Sequence, residues 1–108
     1  MAIGNGVVSL ISSTTVSKNE QVVIAWKTDN PEIVSFDIRI GTPGGRWDVL
    51  SATVGQRVSE IRLPSLPPEL TPLYLEFGYT IPSGTGMHGH THYENVLLTE
   101  DPIVISRV

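Results

Sequence analysis

The sequence predicts an all-β fold, and more closely an antiparallel β-sandwich of about eight short strands in one domain that covers residues 1–108. Several segments alternate apolar and polar residues with a period of two, which is typical of strands with one buried face. No segment of helical length that is free of Gly and Pro repeats its apolar positions at a helical period. Ten Gly and eight Pro residues separate the alternating segments and keep each of them short.

Three segments in the first half of the chain are expected to be strands. Val7–Val16 mixes apolar residues with Ser and Thr and suits a first or edge strand. Gln21–Lys27 and Ile33–Ile40 alternate more regularly, and the second of them is the clearest half-buried strand of the chain. The apolar residues expected on their buried faces are Val22, Ile24, Trp26, Val34, Phe36, Ile38 and Ile40.

Two turn-rich segments divide the middle of the chain. Gly41–Gly45 predicts a hairpin loop, and Arg46–Val54 is its expected return strand. A short strand, Val58–Leu63, is followed by residues 64–72, which contain four prolines. Because proline has no backbone donor for a sheet, residues 64–72 are expected to form a stiff corner and not a central strand.

The last third of the chain is expected to supply three more strands. Leu73–Ile81 alternates strictly, Pro82–Gly89 has the composition of a loop, and His90–Thr99 is expected to pair back. Ile103–Val108 is apolar enough that it is expected to be paired into a sheet and not left as an exposed edge. One core is expected to bring together Ile24, Trp26, Phe36, Ile38, Leu75 and Phe77.

The composition excludes several kinds of function. Seven basic and eleven acidic residues give a net charge of −4, which is the wrong sign for a nucleic-acid-binding surface. No apolar run approaches the ~18 residues of a transmembrane helix, so membrane insertion is not expected. The absence of cysteine excludes disulfides, zinc–thiolate sites and thiol nucleophiles. Since no signal peptide is visible, the expected location is the cytoplasm, or the exterior after secretion without a visible signal peptide.

Two groups of segments resemble known β-sandwich families. Val22–Trp26 resembles the second strand of a fibronectin type III domain, and the stretch from Leu63 to Phe77 resembles the proline corner before its sixth strand, although the corner here is longer. Three further segments are similar to the immunoglobulin-like domain of fungal Ser/Thr-rich cell-wall proteins: VVIAWKTDNP, FDIRIGTPGGRWDVL, and SEIRLPSLPPEL with LYLEFGY. The resemblance covers residues 16–81. It implies an immunoglobulin-like antiparallel β-sandwich associated with glycans, and it implies no catalytic residues.

All three histidines of the chain lie within five positions, next to a glutamate. In an extended strand His88, His90, His92 and Glu94 would project from one face, and imidazole with carboxylate is a ligand set for zinc, nickel, copper or iron. The spacing is also similar to the first cupin motif, but its framing glycines and the histidine of the second motif are missing. The alternative interpretation is a solvated polar loop that binds no metal.

A second candidate site is the hairpin segment with Arg46, Trp47 and Asp48. An exposed Trp could stack on a sugar ring while the charged groups bind hydroxyls, whereas a buried Trp47 would simply cover the core. In an immunoglobulin-like sandwich this hairpin lies at the opposite end from the histidines. Asp29 and Asn30 are expected to share the rim of the histidine segment, although they also suit an ordinary turn.

The sequence therefore predicts a non-catalytic, lectin-like binding module and not an enzyme. Its expected partner is a glycan or glycoprotein, and no cofactor is required. The ligand-binding residues would come from Asp29, Asn30, Arg46, Trp47, Asp48, His88, His90, His92, Tyr93, Glu94 and Asn95. Two alternatives stay open: a small protein that binds a divalent metal through the histidine cluster, and a structural homo-oligomer that pairs through the edge of Ile103–Val108.

Overall fold

The computed structural model describes residues 3–17, 20–42, 46–63 and 72–107. Residues 64–71 of the predicted proline corner and residues 43–45 of the first hairpin loop fall outside these ranges. Within these ranges there are ten strands, in the order β1 Ile3–Gly4, β2 Val8–Leu10, β3 Thr15–Val16, β4 Val23–Thr28, β5 Ser35–Thr42, β6 Arg46–Gly55, β7 Glu60–Arg62, β8 Leu73–Thr85, β9 Thr91–Leu97 and β10 Ile103–Arg107. The described residues contain no α-helix, so the all-β prediction is confirmed.

The strands form two sheets that pack together as a sandwich. The smaller sheet has the order β1-β2-β4-β7, and the larger has the order β3-β10-β8-β5-β6, with β9 also paired to β8. All of these pairings are antiparallel except that of β3 with β10. The chain crosses from the smaller to the larger sheet between β2 and β3, so the expected single first strand is divided into separate pieces.

The core lies between the two sheets and has an aromatic centre. The ring centroid of Trp26 is 5.3 Å from that of Phe36 and 5.1 Å from that of Phe77, and the rings are tilted against one another. Offset, tilted contacts of this kind are favourable for aromatic quadrupoles. Aliphatic residues from both sheets surround them, including Ile24, Ile38 and Leu75. The six residues predicted to form the core are all buried together, as expected.

The structure corrects the predicted phase of β5 at its start. Phe36, Ile38 and Ile40 face the core, but Val34 is 46 % exposed and its neighbour Ile33 is buried instead. Residues 33 and 34 precede the strand, where the backbone has not yet adopted the pleat that alternates side chains between faces. The amide of Val34 already donates to the carbonyl of Thr80, 2.9 Å away.

β8 is longer than expected and β10 is more enclosed. The segment predicted as a loop from residue 82 onward continues as strand to Thr85, because β9 supplies it with a partner across a bulge between Pro82 and Gly84. β10 pairs with β8 on one side and with β3 on the other. Ile103, Val104 and Ile105 pair with β8, and Ser106 and Arg107 pair with β3. The expectation that this strand is paired into a sheet is confirmed, and homo-oligomerisation through its edge stays a prediction.

No described segment forms a helix long and apolar enough to cross a bilayer.

Candidate functional site

The segment from Ile81 to Val96, which we call the arm, projects from one end of the larger sheet. The pairing of β5 with β8 ends at Ser35 and Thr80, so beyond that point β8 is paired with β9 alone. At the rise of a strand, the five residues of β8 that follow Thr80 extend about 16 Å further. The molecule is correspondingly long, with extents of 53 × 26 × 21 Å. The arm is thus a two-stranded ribbon beside the sandwich and not part of its core.

The tip of the arm is a single 3-10 turn, Met87–Gly89. It is closed by the amide of Gly86, which donates to the carbonyl of His90 at 2.8 Å. Met87 is 83 % exposed, the highest value among the exposed large hydrophobic residues. His88 has φ 66° and ψ 17°, a left-handed conformation that a non-glycine residue adopts only at a cost.

This turn removes the shared strand face that was expected for the histidines. His88 lies in the turn, His90 follows it, and only His92 and Glu94 belong to β9. His92 sits against Gly86, where any Cβ would overlap its imidazole ring. Among the described residues, no group of three or more His, Asp or Glu side chains is arranged to hold a metal ion. The four predicted ligands therefore do not form the strand face on which the metal hypothesis rested.

We expect His88→Gly to stabilise the chain by about 1 kcal/mol, because the substitution removes the steric cost of the left-handed conformation. Its matched control is Gly89→Ala, since Gly89 has φ +75° and no atom within 4 Å of an added Cβ. That variant should lose about 1 kcal/mol through backbone strain alone. Urea unfolding of both variants measures the two effects, and equal stability of His88→Gly and the natural chain would contradict the assignment of strain to this turn.

Asp29 and Asn30 were expected to share the rim of the histidine segment, but no histidine lines the cavity that they border. They line a rim cavity of about 330 Å³ together with Gln56 and Arg57. The side chain of Asn30 makes a hydrogen bond within its own loop, because its Oδ1 accepts from the backbone amide of Glu32 at 2.9 Å.

The predicted hairpin site lies at the other end of the larger sheet. β6 begins at Arg46, which is paired with Thr42 of β5. The side chains of Arg46, Trp47 and Asp48 fall outside the described detail, so stacking of Trp47 on a sugar stays a prediction.

A groove that the sequence analysis did not identify crosses the outer face of the larger sheet. Its volume is about 190 Å³. Its floor is Gly78, whose missing side chain leaves a depression between β5 and β9. The residues that line its sides are Asp37, Arg39, Glu76, Asn95, Val96 and Leu97.

The groove is rich in hydrogen-bonding groups that are held in place. Thr53 Oγ1 donates to Asp37 Oδ1 at 2.7 Å, and Thr80 Oγ1 donates to Asn95 Oδ1 at 2.6 Å. The guanidinium of Arg39 lies 3.8 Å from the Glu76 carboxylate, which is an ion pair at the surface and too long for a direct hydrogen bond. A carboxylate accepts about four hydrogen bonds and a guanidinium donates five, so most of this capacity stays available to a ligand.

Only the strand register could reveal this groove. The sequence places Asp37 and Arg39 on the solvent side of β5, where polar residues are expected. The register sets Asp37 beside Gly78 and Arg39 beside Glu76, while Leu97 faces Gly78 from β9. The one local signal was Gly78 itself, since a glycine inside a strand often marks a close approach.

Of the predicted ligand-binding residues whose side chains the structure describes, Asn95 and Tyr93 lie on the face that carries this groove. Asn95 lines it directly, and Tyr93 is two residues further along β9 on the same face, 57 % exposed. His92 and Glu94 alternate with them and belong to the opposite face of the ribbon. The outer face therefore combines an exposed aromatic ring with fixed polar groups.

No family model matches the chain, and no match was found among curated proteins or solved structures.

Proposed function

We propose that this chain is a non-catalytic, lectin-like module that binds a glycan in the groove over Gly78. The observation that carries the proposal is the set of donors and acceptors around a floor without a side chain. A sugar hydroxyl can both donate and accept a hydrogen bond. The carboxylates of Asp37 and Glu76 can accept such bonds, and the side chains of Arg39 and Asn95 can donate them. Leu97, 47 % exposed, offers an apolar contact for a sugar ring.

The charges of the groove favour a neutral glycan. Asp37 and Glu76 carry two negative charges against the one positive charge of Arg39. An acidic sugar would bring a further negative charge to a site that is already negative, and like charges repel at short range. The ligand class that fits is an uncharged saccharide with several hydroxyls, which exchanges water for fixed hydrogen-bonding groups.

We also propose that the sandwich belongs to the immunoglobulin-like class. The supporting feature is the path of the N-terminal segment, which places β1 and β2 in the smaller sheet and β3 in the larger sheet, where β3 runs parallel to β10. The strand orders of a β1-β2-β4-β7 sheet against a β3-β10-β8-β5-β6 sheet fit that class as well. A rigid two-sheet scaffold of this kind positions a surface groove without a conformational change.

The test is a glycan array followed by calorimetry on the best neutral ligand. Arg39→Ala is expected to weaken binding about 10-fold or more, because a hydrogen bond to a charged group contributes about 1.5–3 kcal/mol. Arg57→Ala is the matched control, since Arg57 lines the separate rim cavity at the base of the arm. Binding that is lost in Arg57→Ala but kept in Arg39→Ala would move the site to the rim, and an array without any neutral ligand would refute the proposal.

A further inference from the structure

The arm is a structure that should not be stable as a lone ribbon. Between Pro82 and Asn95 its side chains are exposed or only partly buried. A two-stranded hairpin without a third strand or a covering layer is marginal in water. The base of the arm is anchored by Ile81 and Val96, which pack against the core, but nothing described covers the residues beyond them.

One edge of the arm, that of β8, lacks a backbone donor that pairing would use. The carbonyl of Thr80 points toward β5, since it accepts from the amide of Val34. Backbone groups alternate in direction along a strand, so position 82 would direct its amide to the same side, where β5 has already ended. Pro82 has no amide hydrogen, and proline on a free edge is a known protection against pairing.

The other edge, that of β9, carries no such protection. The amide of Leu98 donates to the carbonyl of Phe77, so the amides of Val96 and Glu94 also point toward β8. The amides and carbonyls of Tyr93, Asn95 and Leu97 therefore point away from the sheet. β9 contains no Pro, Lys or Arg, and among the described strands it pairs with β8 alone.

We propose that β9 pairs antiparallel with β9 of a second copy of this chain, about a two-fold axis at Asn95. An unbroken ladder requires outward-facing residues of one copy to meet outward-facing residues of the other. With the axis at Asn95, each Tyr93 faces Leu97 of the partner subunit. Tyr93 is 57 % exposed and Leu97 is 47 % exposed in the single chain. The two-fold axis repeats their contact, so the dimer buries exposed apolar surface at two symmetric places.

Charge disfavours the register that has its axis at Glu94. An axis at Glu94 would place the two Glu94 carboxylates directly opposite each other, and like charges in that position are destabilising. With the axis at Asn95, Glu94 instead faces Val96 of the partner subunit. Between Ile81 and Val96, Glu94 is the one residue of the types Asp, Glu, Lys and Arg.

The pairing has a consequence that rests on the proposed glycan site. Leu97 lines the groove, and Tyr93 of the partner subunit would stand directly beside it. The chain's own Tyr93 is four residues away along β9, about 13 Å at the strand rise. The dimer would thus supply an aromatic ring to each groove from the opposite copy.

The first experiment measures mass by light scattering during gel filtration, with no glycan present. The natural chain should elute with the mass of two chains. Asn95→Pro should raise the dimer dissociation constant about 10-fold or more, because it removes the amide at the axis without removing a bond to β8. Asn95→Ala keeps that amide and should remain a dimer. A natural chain that is monomeric at every concentration, or an Asn95→Pro variant that dimerises like the natural chain, overturns the proposal.

The second experiment uses the absence of cysteine to measure the register. Residues facing each other in a hydrogen-bonded pair have Cα atoms about 5.5 Å apart, within the range of a disulfide. Asn95→Cys should therefore form a covalent dimer on mild oxidation, and Thr91→Cys should not, because the axis places its two copies far apart. Covalent dimers from Glu94→Cys with none from Asn95→Cys would refute the proposed axis. Neither experiment involves a sugar, so a failed glycan array and a failed dimer are separate results.

Discussion

Trp26→Ala is expected to lower the free energy of unfolding by about 3–5 kcal/mol, the usual cost of deleting a large buried aromatic side chain. Trp26 is 2 % exposed and is in ring contact with both Phe36 and Phe77, one from each of two neighbouring strands of the opposite sheet. Its loss would leave a cavity at the centre of the sandwich. Because the surrounding strands are tied by their ladders, they cannot close that cavity fully.

Chemical denaturation of Trp26→Ala against the natural chain measures this loss. Val34→Ala is the control, because Val34 is an apolar residue that is 46 % exposed. Its truncation should change the free energy of unfolding by less than about 0.5 kcal/mol. Trp26→Phe should cost less than Trp26→Ala, since it keeps a ring and removes an indole N–H that is buried without a partner among the described residues. A loss below about 1 kcal/mol in Trp26→Ala would show that the core is not centred on this residue.

Gly78→Val is expected to lower the free energy of unfolding by about 1–3 kcal/mol, the range for side-chain atoms forced into a packed site. A Cβ at position 78 would lie 2.8 Å from the carbonyl oxygen of Val96, a backbone atom that cannot turn aside. β9 would have to move away from β8 at the base of the arm. The same side chain would fill the floor of the groove, so glycan binding should be lost as well.

Gly55→Val is the matched control for this substitution. Gly55 ends β6, and no atom lies within 4 Å of a Cβ added there. Its stability and its glycan affinity should therefore stay close to those of the natural chain. Urea unfolding and calorimetry on the two variants give both readouts. Equal free energies of unfolding for Gly78→Val and Gly55→Val would mean that the close approach of β9 to Gly78 does not contribute to stability.

Functional residues could be placed from the sequence only where their arrangement depends on a single strand. Asn95 and Tyr93 lie on the face of the proposed site because simple alternation along β9 places them there. The prediction that the histidines share one strand face was wrong, because side chains alternate between faces only within a strand. His88 lies in the tight turn that precedes β9, and β9 begins only at Thr91. Asp37, Arg39 and Glu76 were not identified, since each is an ordinary solvent-facing strand residue until the register brings them together.

What the sequence determined by itself is the fold class and the composition of the core. The period-two pattern is a local property of the chain, and it specifies which side chains of a strand are buried wherever that strand is placed. Trp26, Phe36 and Phe77 could therefore be assigned to one core without knowledge of their partners. The tertiary structure alone decided which strands are neighbours, that β10 lies between β3 and β8, and that the pairing of β8 with β9 continues past the end of β5. These features depend on hydrogen bonds between residues far apart in the chain, whose backbone groups are chemically alike and carry no signature in the sequence.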